Sequence, residues 1–257
     1  MACLSTLVWI TGGSGQFGSA EAVPSASTLS ADAIVQRLVT ANARRAEALR
    51  GYRSKRLYNV DYHGFLGSHQ AHLQVEASYT APDKKDFTII SQSGSKLLIN
   101  RVLLKLLESE KEAVQNRQNT ELSPRNYEFG LLGTDHEPTG DVYILSVKPR
   151  VNTKFLYIGK IWVDAHDFAV VHMEGEPAKN PSIWVSHVKI EYRWAKFGGF
   201  WLPVHNESVT QVRMGGKAVL NIDYTDYQVT GVRKGNGTES NKDSVLPDPS
   251  SVTPDQH

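Results

Sequence analysis

The chain of 257 residues contains one cysteine, Cys3. A lone thiol closes no intramolecular disulfide, and without a second no Cys-x-x-Cys zinc or redox motif can form. No apolar stretch precedes Cys3 as a lipoprotein signal would require, so no lipid anchor is expected there. Net charge is equally scarce: 28 Lys and Arg against 27 Asp and Glu leave +1. No global field then attracts a polyanion or repels an acidic ligand, and nucleic acid is not an expected partner. No run approaches the roughly 18 continuous apolar residues of a spanning helix. A G-x-S-x-G elbow and a P-loop are both missing. No catalytic residue is assigned, and an enzyme is not expected.

Hydrophobic residues make up 40%, and 20 glycines bring the apolar share to about 48%, the range of soluble globular chains. Wholesale disorder is excluded, and the length allows one large β domain. Leu4 to Ile10 is a short apolar core, and Ala20-Glu21-Ala22 reads as an A-x-A cleavage site, although no Lys or Arg precedes the core. Residues 1–22 are read as an export leader, residues 23–230 as a single domain, and 231–257, without hydrophobic periodicity, as a disordered polar tail. Gly13-Ser14-Gly15-Gln16-Phe17-Gly18 matches a dinucleotide fingerprint by letter. Pro24 interrupts the helix that such a turn must open, and no second strand with an acidic residue follows at the required distance, so no nucleotide is expected.

Ser30 is a candidate N-cap for a helix in which Ile34, Val35, Leu38, Ala41 and Leu49 repeat at helical spacing to about Gly51. The period then changes to two. Leu57, Tyr58, Val60 and Tyr62 lead to a turn at 64–68; Leu73, Val75 and Tyr79 follow, and a third strand at 87–91 ends at Ser93-Gly94-Ser95. Residues 96–118 predict a helix whose Leu97, Leu98, Ile99, Val102, Leu103, Leu104, Leu106 and Leu107 cover far more than one face. A surface helix needs an apolar stripe little over about 100° wide. This helix either sits in a core between two layers, or buries one side and offers another to a ligand. From Glu108 it turns polar and is expected to run into solvent.

Strand-like runs follow at 127–132, 142–147, 155–163, 168–173, 183–194, 200–212 and 218–229. The short turns between them require antiparallel neighbours, so about ten strands should form one meander. Twist makes so broad a sheet curl, leaving a concave face. Alternation places Tyr157, Ile161, Val163, Val171, Met173, Trp184, Val188, Ile190, Tyr192, Trp194, Leu220, Ile222 and Tyr224 inward, with Lys189, Glu191, Arg193, Asn221 and Asp223 outward. The two helices can roof the hollow.

Of nine histidines, His172-x-Glu174 and His205-x-Glu207 each put both members on one strand face. They would build a zinc site only if their strands were neighbours. Such pairs are common on half-exposed sheets, and no metal or other cofactor is expected. Glu174 with Glu176, and Asp164 with Asp167, do not face one another across a substrate as glycoside chemistry requires. Arg44, Arg45, Arg50, Arg53, Lys55 and Arg56 read as a solvated basic face, or as a surface for an anionic membrane or acidic partner. Asn206-Glu207-Ser208 and Asn236-Gly237-Thr238 match the glycosylation sequon, which matters only in a eukaryotic secretory pathway.

Four strings carry a family resemblance: Gly159-Lys160-Ile161-Trp162-Val163-Asp164; residues 170–176; Ile190-Glu191-Tyr192 leading to Gly199-Phe200-Trp201-Leu202-Pro203; and residues 218–227. Over about 31–229 the chain resembles the periplasmic lipoprotein-carrier superfamily of LolA, LolB and the outer membrane lipoprotein-sorting proteins, and more distantly the MucB/RseB regulators. The resemblance implies a mainly β, α+β fold, an incomplete antiparallel β-barrel covered by helices over an apolar cavity for acyl chains. It implies a periplasmic monomer without cofactor, working with inner- and outer-membrane protein partners. Combined with the alternation above, it points to Leu98, Val102, Leu103, Leu106, Leu107, Ile161, Met173, Trp184, Ile190, Tyr192, Trp194 and Ile222 as cavity and lid residues. The alternative is an envelope sensor or scaffold that binds a protein or peptide on the concave sheet.

Overall fold

The computed structural model describes residues 29–232 apart from 66, 139, 154, 181–184 and 214. The expected leader, the dinucleotide-like string, the tail beyond 232, the sequon at Asn236 and the expected site residue Trp184 lie outside the described residues.

Helix α1 spans Ala31–Ala48, and Ser30 starts it as the sequence indicates. The Ser30 backbone is extended and its hydroxyl accepts the Ala33 N–H at 3.2 Å, satisfying one of the free donors of the first turn. Asp32 in that turn opposes the positive helix end. The helix stops three residues before the expected Gly51, because Leu49 is already extended. A strand is needed there to turn Tyr52 onto the core of Phe200 and Leu202.

Ten strands follow: β1 (Leu49–Gly64), β2 (Gly67–Thr80), β3 (Lys84–Gly94), β4 (Tyr127–Glu137), β5 (Gly140–Pro149), β6 (Tyr157–Asp164), β7 (Val170–Pro177), β8 (Val185–Phe197), β9 (Phe200–Val212) and β10 (Gly216–Val232). Between β3 and β4 lie α2 (Lys96–Leu98), a π-helical turn (Ile99–Leu103), α3 (Leu104–Gln115) and α4 (Arg117–Thr120). All ten strands form one sheet in the order β3-β2-β1-β10-β9-β8-β7-β6-β5-β4, with every registered pair antiparallel. The single meander expected from the turns is thus corrected. Two meanders meet where β1 pairs with β10, from Leu49 opposite Val232 to Gly64 opposite Gly216. Among the described residues the edges β3 and β4 remain unpaired with each other, so the barrel is incomplete, and the helical segment from α2 to α4 links them.

The helices divide the inner face. Ile34, Val35 and Leu38 of α1 pack on Leu145, Val147, Ile161, Val163 and Met173. Leu98, Ile99, Leu103 and Leu107 pack on Tyr58, Val60, Leu73, Val75, Leu220, Ile222 and Tyr224. Each aliphatic side chain buried this way contributes about 1.5–3 kcal/mol. The π turn explains the excess apolar circumference of this segment: one extra residue per turn brings Leu98 and Leu103 onto the buried side together, while Leu97 stays exposed.

Inward alternation holds for Tyr157, Ile161, Val163, Met173, Tyr192, Trp194, Leu220, Ile222 and Tyr224, all of which pack in these two clusters. Val171 does not follow it. Trp162 pairs with His172 and Val163 with Val170, so Val171 is the extra residue of a bulge. It packs outside with Val142 and Trp162, because one inserted residue reverses which face a side chain meets. Gly159 and Gly175 face each other across β6 and β7, and a Cβ on Gly159 would collide with the Glu174 carbonyl. The Asn206 side chain is buried and donates to the Glu191 carbonyl at 3.0 Å, so that sequon is closed in the folded chain.

Candidate functional site

Under α1 the two helix-covered halves do not fill the interior. A cavity of about 280 Å³ remains, with Val147, Ile161, Val170, Met173 and Trp194 on its sheet side and Leu122 from the segment after α4 opposite. Asn42 and Arg45 of α1 supply polar groups, beside Thr120, Tyr127 and Tyr157. An adjoining cavity of about 570 Å³ shares Asn42, Arg45, Leu122 and Trp201, and adds Phe200 and Leu202. Small-ligand sites occupy roughly 300–1,000 Å³ with mostly apolar walls. The smaller cavity is chiefly apolar, whereas Arg117, Gln118, Glu121 and Ser123 add polar groups to the larger one.

Tyr157 lines the smaller cavity, and Tyr192 stands beside it, stacked on Trp194. Tyr157 and Tyr192 both keep partial accessibility, yet burial pushes both phenols above their ordinary range. Tyr192 on β8 also feels Tyr157 of β6, Glu110 of α3 and Tyr58 of β1 electrostatically, so the curled sheet brings distant strands around one space.

Arg45 fastens the mouth. Its guanidinium donates to the carbonyls of Asp167 and Phe168 at 2.9 and 2.8 Å and to Asn42 Oδ1 at 2.8 Å, tying the end of α1 to the β6–β7 turn. Burial lowers the pKa of Arg45, opposed by Asp167 and Asp164. Asp167 in turn accepts from Lys196 Nζ at 2.6 Å and Trp201 Nε1 at 2.9 Å. These hydrogen bonds, the Lys196 one foremost, hold its carboxyl down at about 2.

The α3 helix carries a second fastening. Glu110 accepts from Arg56 of β1 at 2.6 Å, from Lys85 of β3 at 2.7 Å and from the Tyr58 hydroxyl at 3.1 Å. Burial works against the Glu110 carboxylate, but Lys85 and Arg56 outweigh it and hold its pKa at about 2. Arg56 is 1% exposed and also lies over the rings of Tyr224 and Phe87, at 4.8 and 5.3 Å. A buried charge of this kind persists only when paired.

Sequence reasoning read Arg56 as part of a solvated face and residues after Glu108 as leaving for solvent. Arg56 is instead fully buried. Glu108, Glu112 and residues 115–119 are exposed as expected, but Glu110 turns inward to meet Arg56. The available signal was parity, since Arg56 is in step with Tyr58 and Val60, both buried on the inner face. Asn42, Arg45, Lys85 and Leu122 carried no such signal.

The expected site residues fall into two groups. Ile161, Met173 and Trp194 line the hollow; Tyr192 stacks on Trp194 with ring centroids 5.5 Å apart, and Ile190 is half-buried on the same strand. Leu98, Leu103 and Leu107 are buried in the other cluster, with Val102 and Leu106 partly buried against it and Ile222 beneath. The two His-x-Glu pairs are not on neighbouring strands, because β8 separates β7 from β9. His205 instead meets Asp223 at 2.8 Å. Among the described residues, no helix is long and apolar enough to cross a membrane.

No protein-family model matches the chain, and no curated protein sequence matches it. Similar solved structures include a DUF1329 family protein from Desulfovibrio piger, with 14% identity over 79% of this chain and 94% of that one at TM-score 0.42. A domain described as an outer membrane lipoprotein-sorting protein from Vibrio parahaemolyticus shares 10% identity over 80% and 93% at TM-score 0.43. A LolA superfamily protein from Nitrosomonas europaea shares 12% over 80% and 96% at TM-score 0.35.

Proposed function

We propose that the chain is a periplasmic carrier that holds lipoprotein acyl chains, or another lipid, in the hollow beneath α1 and passes its cargo toward the outer membrane without catalysis. The observation that carries this reading is the cavity walled by Ile161, Met173 and Trp194, with Arg45 and Asn42 at its polar end. Each acyl methylene buried there gains about 0.8 kcal/mol. Leu98, Leu103, Leu106 and Leu107 cover the neighbouring half of the sheet. They would meet cargo only where it reaches beneath a lifted α2–α3 segment, and uptake there is offset by the packing it displaces. That balance suits a carrier, which must release what it binds. Mass spectrometry of protein purified from its own envelope tests the reading: co-purified lipid supports it, and a chain that carries none and takes up no apolar fluorescent probe refutes it.

A second reading, a sensor or scaffold for a protein or peptide, draws on the two open edges. Ile89 and Ile90 on β3, and Leu131 and Leu132 on β4, are exposed there. Unpaired strand edges accept an added strand. A bound polypeptide without lipid in the same experiment selects this reading.

A further inference from the structure

We propose that His172, Glu174 and Glu191 form a site for a divalent transition-metal cation on the outer face of the sheet. His172 and Glu174 stand two apart on β7 and share that face, and β8 places Glu191 in register opposite Glu174. His172 Nε2 lies 3.3 Å from a Glu191 carboxylate oxygen and 3.6 Å from one of Glu174. The three donor atoms all lie within 4.8 Å of one another. Zinc takes imidazole nitrogen and carboxylate oxygen at about 2.0–2.2 Å, so two ligands on a tetrahedral ion are separated by roughly 3.3–3.6 Å. The imidazole already stands at that separation from both carboxylates.

The imidazole is the independent sign of a missing ligand. His172 is 5% exposed and stacked on Trp162 at 4.3 Å, yet neither ring nitrogen makes a hydrogen bond. A buried imidazole needs a partner at each nitrogen. A cation on Nε2 supplies one, and Nδ1 points toward Glu137, 3.9 Å away, in the arrangement by which a carboxylate orients a ligating histidine. Charge agrees with this. Glu174, Glu191 and Glu207 are cross-strand neighbours on β7, β8 and β9, a row of like charges that destabilises a bare sheet. Lys160 stands opposite Glu174 at one end of the row, and Arg193 donates to Glu191 Oε1 at 2.7 and 2.9 Å. Two cations thus face three carboxylates, and an ion beside His172 would take the other Glu191 oxygen or displace the guanidinium. In the other such group among the described residues, Asp164, His166 and Asp167, the imidazole is exposed and gives no sign of a missing ligand. Asp164 accepts from the His166 and Asp167 backbone, and Asp167 from Lys196 and Trp201.

The ion would act as a clip. Among the described residues the β7–β8 ladder registers only from His172 to Gly175, the shortest in the sheet. Between its two ligand rows lies the Met173–Tyr192 pair, which faces the hollow. Metal on the outer face would hold together the strands that wall the cavity inside.

The test is titration of the chelator-stripped full chain with Co²⁺, followed by its visible ligand-field absorption, and then displacement by Zn²⁺. The expected result is saturation at one equivalent, a rise in melting temperature of several degrees with Zn²⁺, and loss of both in Glu174→Gln and Glu191→Gln. Each variant should weaken binding by more than the roughly 10–100-fold that loss of an outer-shell partner costs. Both alter accessible side chains, so circular dichroism should match the parent and binding can be scored in a folded protein. His172→Gln, if it folds, should bind no ion. Absence of saturable binding, or undiminished one-equivalent binding in both glutamate variants, overturns the assignment.

Discussion

Glu110 on helix α3 and Arg56 on strand β1 meet at 2.6 Å, with Arg56 almost wholly enclosed. The pair ties the helix that bridges the two open edges of the sheet to a central strand, and Lys85 extends the tie to the edge strand β3. Removing one member leaves a buried charge without its counterion, which costs about 3–5 kcal/mol. Glu110→Gln should therefore unfold at lower urea, by about 3 kcal/mol, and should bind an apolar fluorescent probe more readily because the lid is freed. An unchanged denaturation midpoint would show that the tie does not hold the helix.

The same pair sets an acid limit. The Glu110 carboxyl sits at about 2 in the folded chain against an ordinary 4.5, and Asp167 at about 2 against 3.8. Groups with depressed folded values bind protons more readily when unfolded. Their contribution is complete above the unfolded values and is lost as pH falls toward about 2, worth about 3 kcal/mol for Glu110. Stability should thus fall between about pH 4.5 and 2, with a shallower fall in Glu110→Gln. Urea midpoints measured across that range check both the sign and the residue.

How much of this was readable in sequence depends on how local each cause is. Ser30 announced α1 because a cap acts within three residues. Strand faces followed from alternation at Ile161, Met173 and Ile222. The β1–β10 pairing was not readable, since no turn joins those strands. Val171 escaped because a one-residue bulge reverses parity without any mark in composition. Likewise the approach of Glu191 to His172 depends on the β7–β8 register, which the sequence between them does not state. Part of the hollow was legible through Ile161, Met173 and Trp194, whereas Asn42, Arg45 and Leu122 reach it only through the docking of α1 and the chain after α4.

Leu103 tests the lid. It is fully buried at the π turn against the β1, β2 and β10 core. Leu103→Asp places a carboxylate in that apolar seam, so the segment can no longer alternate between sheet and cargo. Probe uptake should fall in protein that retains its circular dichroism, and unchanged uptake would remove this residue from the cargo path. Leu103→Ala separates packing from charge: it should cost about 2–5 kcal/mol while leaving uptake possible.

Gly159 tests the wall behind the hollow. Its Cα–H faces Gly175 so closely that a methyl group would meet the Glu174 carbonyl. Gly159→Ala must push β6 away from β7, and overpacking of this kind costs about 1–3 kcal/mol. A thermal unfolding scan should show the loss, and Gly130→Ala, which meets only the Ser146 hydroxyl, should lose less.

The strongest test of the hollow fills it. Val170 is half-buried on β7 and borders the cavity with Met173 and Trp194. An indole in its place would project into space that is already empty, so Val170→Trp should displace few protein atoms and leave the melting temperature within a few degrees. It should also remove the volume that an acyl chain needs. Lipid recovered with the protein, and probe fluorescence at saturation, should both fall severalfold while the lid residues remain untouched. If the variant folds, fills the cavity and still carries lipid, the cargo lies elsewhere, and the helix-covered face of β1, β2 and β10 under Leu98 and Leu107 becomes the place to look.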